Sequence, residues 1–218
     1  KNKNGVIKTV RFSSEKDTNF IFLVSETLPL LRKPIVYIYS PKKQDLKLKI
    51  EFKGKLKIFY QNYNEKWTLQ VGPDGIIINQ RDNKQHRYLY WEGIIDRQYS
   101  IQNFSEGFII EGNQTAFFLD SILSVAGFND FEKNDFISYW LPSLSKYNKV
   151  FIHFYTNEQC NEISEYNCNK KVETYIRLYM FFTPIENEIS ILPQKIYCKQ
   201  RIGLTLVEWG GIDRKSVV

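Results

Sequence analysis

Residues 44–52, QDLKLKIEF, place Leu46, Leu48, Ile50 and Phe52 on one side of a two-residue period and Lys47, Lys49 and Glu51 on the other. Strict alternation of this kind predicts a strand with one buried and one solvated face. The same period, or short apolar runs bounded by turn residues, predicts further strands at 6–12, 19–25, 34–39, 55–60, 66–71, 149–156, 172–182 and 202–209. GPDG at 72–75 is a turn, because proline presets one dihedral and glycine accepts positive φ. Residues 76–79 and 86–93 read as the two arms of a hairpin around QRDNKQ. At residue 113 the period lengthens. Phe117, Phe118, Ile122 and Val125 predict a helix over about 113–126, capped by Asn113 or Thr115 and stopped by Gly127. A second helix follows over about 129–140, with Asn129 as cap, Phe131, Ile137, Tyr139 and Trp140 as apolar contacts and Pro142 just past its end.

Strands, then two helices, then strands describe an α+β fold with mostly antiparallel sheet and a central helix pair. Pro29 and Pro34 mark a linker, so residues 1–32 read as an N-terminal hairpin and linker, and residues 33–212 as one α+β domain. DRKSVV, 213–218, reads like the translated end of a sequencing adapter, and Lys1 in place of a starting methionine reads as a fragment or a processed form.

The 218 residues, 43% hydrophobic and 16% aromatic, suit a soluble, β-rich domain with a sizeable core. The longest apolar run near the start, FIFLV, is too short to span a bilayer. The net charge of +6 and the lysine strand raise the question of nucleic acid. An RNA-reading sheet carries aromatics beside its lysines, whereas here the opposite face is apolar, so a solvated, edge-guarding lysine face is the better reading. Cys160, Cys168 and Cys198 form no CxxC, and with only His86 and His153 no zinc set follows from spacing. Cys160 and Cys168 flank a polar loop, CNEISEYNC, and could bridge in an extracytoplasmic setting; the odd third cysteine argues against a disulfide framework. Sequons at Asn103 and Asn113 are weak signals in so Asn-rich a chain. GxSxG, Walker and GxGxxG patterns are absent, so no cofactor is implied.

Candidate chemistry concentrates in RYLYWEG (87–93) and its echo LVEWGG (206–211). Glu92 and Glu208 are the candidate catalytic carboxylates of a glycosidase, which needs them roughly 5–9.5 Å apart. Tyr90, Trp91 and Trp209 are the candidate ligand-stacking rings. The plainer reading makes the two tryptophans core anchors in one sheet, with Gly93 and Gly210 allowing sharp strand exits and the acids paired structurally. Trp140 reads as core.

KPIVYIYSP (33–41), YNEKW (63–67), PDG (73–75), YLYWEG (88–93), NDFISYWLP (134–142), IRLYMFF (176–182) and LVEWGG (206–211) together resemble a family of uncharacterised bacterial proteins of Clostridia-type genomes. Its members read KPVIYLYP, YNDGW, YLFWEG, NEFIxYWLP and VVEWGG in the same order; YNEKW departs where the family has glycine before tryptophan. The resemblance covers about residues 33–211 and implies an extracytoplasmic or cell-surface setting, but no activity and no functional residues. The expected function is therefore a non-enzymatic binding or structural module, with glycan or protein as partner and nucleic acid disfavoured. The alternative is a carbohydrate-active or other hydrolase using Glu92 and Glu208.

Overall fold

The computed structural model describes residues 29–61, 63–96, 104–187 and 189–213; the strands expected at 6–12 and 19–25, the sequon at Asn103 and all but the first residue of DRKSVV lie outside them. The elements are β1 (Leu30–Tyr39), β2 (Gln44–Phe52), β3 (Gly54–Phe59), β4 (Trp67–Val71), β5 (Ile77–Asn79), β6 (Lys84–His86), β7 (Leu89–Ile95) and β8 (Glu106–Glu111). Helices α1 (Thr115–Ala126) and α2 (Asp130–Leu144) follow, then β9 (Lys149–Thr156), α3 (Asn157–Asn161), β10 (Ser164–Cys168), β11 (Thr174–Pro184), β12 (Leu192–Pro193) and β13 (Thr205–Asp213). The fold is α+β, β-rich and mostly antiparallel.

Among the described residues the strands form two sheets. The larger runs β12-β8-β9-β11-β13-β1-β7-β3 and the smaller β10-β2-β4-β5-β6. Most pairs are antiparallel; β11 with β13 and β12 with β8 are parallel. The centre of the large sheet, β9, β11, β13 and β1, is buried on both faces, and this explains the long apolar runs of β1 and β11. One face meets the small sheet through Leu46, Leu48, Trp67, Leu69, Trp91 and Leu206. The other meets α1 and α2 through Ile35, Leu123, Phe136, Trp140, Met180 and Trp209. The architecture is thus helices, large sheet, small sheet.

Several local expectations change once strands find partners. Residues 77–79 do turn back in a hairpin, but onto 84–86, so that of the arm 86–93 only His86 pairs there, with Ile77. β5 turns onto the short β6, and the chain then crosses to β7 in the other sheet. The lysine strand β2 lies between β10 and β4, so it guards no edge; β3, with Lys55 and Lys57, is at one edge of the large sheet. CNEISEYNC is not a loop, because it contains the end of α3 and all of β10. Its cysteines are free.

The helices lie where the longer period put them, but their buried faces differ. α1 buries Leu119, Leu123 and Ala126, while Phe117 is 81% exposed. Its entry is a 3-10 turn, and neither Asn113 nor Thr115 caps it. Gly127 does end it, in the left-handed region at φ 92°. Asn129 and Glu132 form a reciprocal capping box on α2, which runs through Pro142 to Leu144. Gly93 and Gly210 sit inside strands and open no exits. Gly93 faces Phe52, whose ring would meet an added Cβ at 2.4 Å, and the neighbouring Gly211 gives Trp140 its seat, with the corresponding distance 2.2 Å.

Candidate functional site

Strand alternation decides the fate of the four candidate motif residues on β7 and β13. Trp91 and Glu208 project into the space between the sheets, and Glu92 and Trp209 project toward the helices. Both strands flank β1, with Val36 opposite Glu208 on one side and Leu89 on the other. The two carboxylates therefore stand on opposite faces of one sheet and share no cleft, so the structure does not bring together an acid–base pair. Trp91 and Trp209 are both 0% exposed, which leaves neither ring a face for a ligand. They do lie in one sheet, as core anchors.

Glu208 is held in a saturated buried network. Arg177, its register partner on β11, donates from Nε to Oε2 at 2.8 Å. The guanidinium also donates to Ser164 Oγ (2.7 Å), Tyr179 Oη (3.0 Å) and Asn161 Oδ1. The Tyr166 hydroxyl donates to Glu208 Oε1 and accepts from Trp91 Nε1 at 2.9 Å. Burial lowers the guanidinium's pKa, but Glu208 together with Tyr179, Cys160 and Tyr166 more than offsets this and holds it well above its ordinary value. Tyr166 and Tyr179 are raised well above the usual tyrosine range, by burial first and by Glu208 second, so both keep their protons. With both oxygens bonded and the side chain fully buried, this carboxylate fastens β10 of the small sheet to β11, β13 and β7 of the large one.

Cys160 and His153 are also held by partners. Cys160 is fully buried, its thiol donates to the Tyr155 carbonyl, and burial pushes it up to about 12. His153 donates from Nδ1 to the Glu106 carbonyl at 2.9 Å, stacks on Phe104, and has its pKa lowered by burial. Among the described residues no group of three or more His, Cys, Asp or Glu side chains is placed to hold a metal ion. No helix of the described residues is long and apolar enough to cross a membrane.

Polar and aromatic groups remain partly open along the helix side of β7. Tyr88, Tyr90 and Glu92 succeed one another there at the two-residue period, all half-buried. Beside them α2 presents Phe131, Asp135 and Tyr139 at a four-residue spacing, which places all three on one stripe. At one end Arg87 sits over the Phe131 ring at 5.4 Å and reaches Asp135 at 3.7 Å. At the other, the Lys33 ammonium lies over Tyr139 at 4.8 Å. Lys33 occupies a bulge in β1 with φ 53°, and its backbone N–H donates to Glu92 Oε1 at 3.1 Å. The Tyr90 hydroxyl also donates to Glu92, and its pKa is raised by burial first and by that carboxylate second. Of the five candidate site residues, only Tyr90 and Glu92 contribute to this trough. Lys33, Arg87, Asp135 and Tyr139 lie within the quoted motifs, but the sequence marks none of them as a site residue, and Tyr139 reads there as an apolar contact of α2.

No family model matches the chain, and neither a curated protein nor a solved structure is significantly similar to it.

Proposed function

We propose that this chain is a non-enzymatic recognition module that binds its partner along the trough between β7 and α2. One observation carries the reading: Glu208 and Cys160 are fully buried and bonded and Glu92 stands on the opposite face of the sheet from Glu208, while tyrosines and charges beside α2 stay half-open. Aromatic rings with adjacent polar groups give large contact area at small entropic cost, which is the composition of binding hot spots. The cell-surface setting implied by the motif resemblance suits such a module.

The test is a combined glycan and peptide array on the full chain, followed by calorimetry of any hit. Tyr90→Ala is expected to weaken binding by roughly 30-fold or more, as for a hot-spot aromatic. Tyr90→Phe keeps the ring and loses only the hydroxyl bond to Glu92, so it is expected to retain most of the affinity. An array empty of binders, or hits indifferent to Tyr90→Ala, would sink the proposal.

A further inference from the structure

The strand at the rim of the trough has an unused side. β3 pairs with β7 along one edge, and among the described residues nothing pairs with the other. The Tyr60 N–H donates inward to the Tyr90 carbonyl at 3.1 Å, so by alternation the N–H and C=O of Phe59 point outward. Ile58, Phe59 and Tyr60 are 44%, 37% and 61% exposed, an apolar run of three on an edge. Ile58 and Tyr60 face the helix side and Phe59 the other, where it stacks on Tyr63 at 4.3 Å. The charges on the strand are all of one sign. Lys55 and Lys57 are exposed, and β3 contains no acid. Glu92, opposite Ile58 on β7, is already engaged by Lys33 and Tyr90.

Lysines and a bulge on an edge strand oppose pairing with a copy of the same strand, since like charges would meet. The same lysines favour an incoming strand of opposite charge. From the open edge, the apolar run and this charge, we infer that β3 accepts an extended acidic segment of a partner protein as an added strand. The segment's backbone bonds at Phe59, its apolar residues cover Ile58 and Tyr60, and its carboxylates reach Lys55 and Lys57. This inference rests on the recognition-module reading and names its partner.

The probe is a fluorescein-labelled peptide of about ten residues alternating valine and glutamate, long enough to cover an edge strand of ordinary length, with a valine–lysine peptide as control. Anisotropy on the full chain is expected to show the acidic peptide binding at least ~10-fold tighter, with affinity falling as salt rises. Lys55→Glu/Lys57→Glu should reverse the preference. Phe59→Pro should abolish binding, because it removes an outward donor and leaves the β7 pairing in place. The double charge reversal alters only exposed side chains, so the test survives if the proline variant misfolds. Equal binding of both peptides, or binding unmoved by these variants, overturns the inference and leaves the trough reading standing. Slow amide exchange at Phe59 in the peptide-free protein also overturns it, since another part of the chain or a second copy would then hold the edge. If neither peptide binds while an array ligand responds to Tyr90→Ala, this inference alone fails; if the array is empty too, both fail.

Discussion

Arg177→Met tests whether the Glu208 network is the fastening it looks like. The substitution keeps an unbranched, flexible side chain of similar length but removes the guanidinium that donates to Glu208, Ser164, Tyr179 and Asn161. Glu208 is 0% exposed and would be left with Tyr166 as its hydrogen-bonding partner among the residues that now hold it. Breaking one side of a buried ion pair costs about 3–5 kcal/mol, because the surviving charge is stranded rather than because the pair was strongly attractive. Domains of this size lose roughly 2–4 °C of melting temperature per kcal/mol, so the expected drop is roughly 6–20 °C.

The discriminating measurement is a double-mutant cycle by urea unfolding. Arg177→Met and Glu208→Leu each strand a charge; the combined variant strands neither. It is expected to be more stable than Arg177→Met alone, despite Tyr166 and Ser164 losing acceptors and donors. A double variant that loses the sum of the two single losses would show the residues to be uncoupled, and an Arg177→Met protein melting with its parent would show the network to be dispensable. Either result refutes the reasoning.

Gly211→Ala places a Cβ where Trp140 Cζ2 sits at 2.2 Å, and the ring, buried against Phe136, Tyr139 and Phe182, has little room to yield. A loss of about 1–3 kcal/mol in urea midpoint analysis is expected, typical of overpacking, and a neutral result would mean the ring is not fixed there. His153 supplies a pH dependence. Its folded pKa is lowered by burial, so as pH falls through the ordinary histidine range the unfolded chain takes up the proton first and stability drops. His153→Gln should therefore lose less stability than the parent between about pH 8 and about pH 5; parallel losses would show that the histidine does not contribute.

How much of this was legible in the sequence follows from which interactions are local. β2 and β9 begin and end where the pattern put them, because alternation and apolar runs are properties of neighbouring residues. β10 was hidden for a physical reason. Its buried positions are Ser164 and Tyr166, polar residues that face inward because Arg177 and Glu208 await them there. The face of α2 misled similarly: Phe131 is exposed, while Glu132 is buried to accept from Tyr39, Asn129 and Arg201. The hairpin after GPDG forms, but its second arm ends at His86 and residues 89–95 join the other sheet, a choice that depends on partners far along the chain. Glu92 and Glu208 were recognised as special, but their roles depend on Lys33, Tyr166 and Arg177, and no spacing rule links those positions.

The two tryptophan motifs nonetheless share one device, and its two copies differ in how open they are. Between the sheets, Trp91 Nε1 donates to Tyr166, which donates to Glu208. Beneath the helices, Trp209 Nε1 donates to Tyr37 at 3.3 Å, which donates to Asp135 at 2.8 Å. Each relay runs from indole through phenol to carboxylate, one on each face of the large sheet. They differ in what meets the carboxylate. Glu208 meets a buried arginine, and any exchange of partners there would strand a charge at a cost of several kcal/mol. Asp135 meets Arg87 at 3.7 Å with the arginine side chain 56% exposed, a surface contact worth about 1 kcal/mol or less. A partner's groups can replace Arg87 there at little cost, with the carboxylate already oriented from behind by Tyr37 and Trp209. The same chemistry is therefore a rigid fastening on the closed face and an oriented, partly open carboxylate on the other, which makes the trough beside α2, rather than the more strongly perturbed interior, the surface to test for binding.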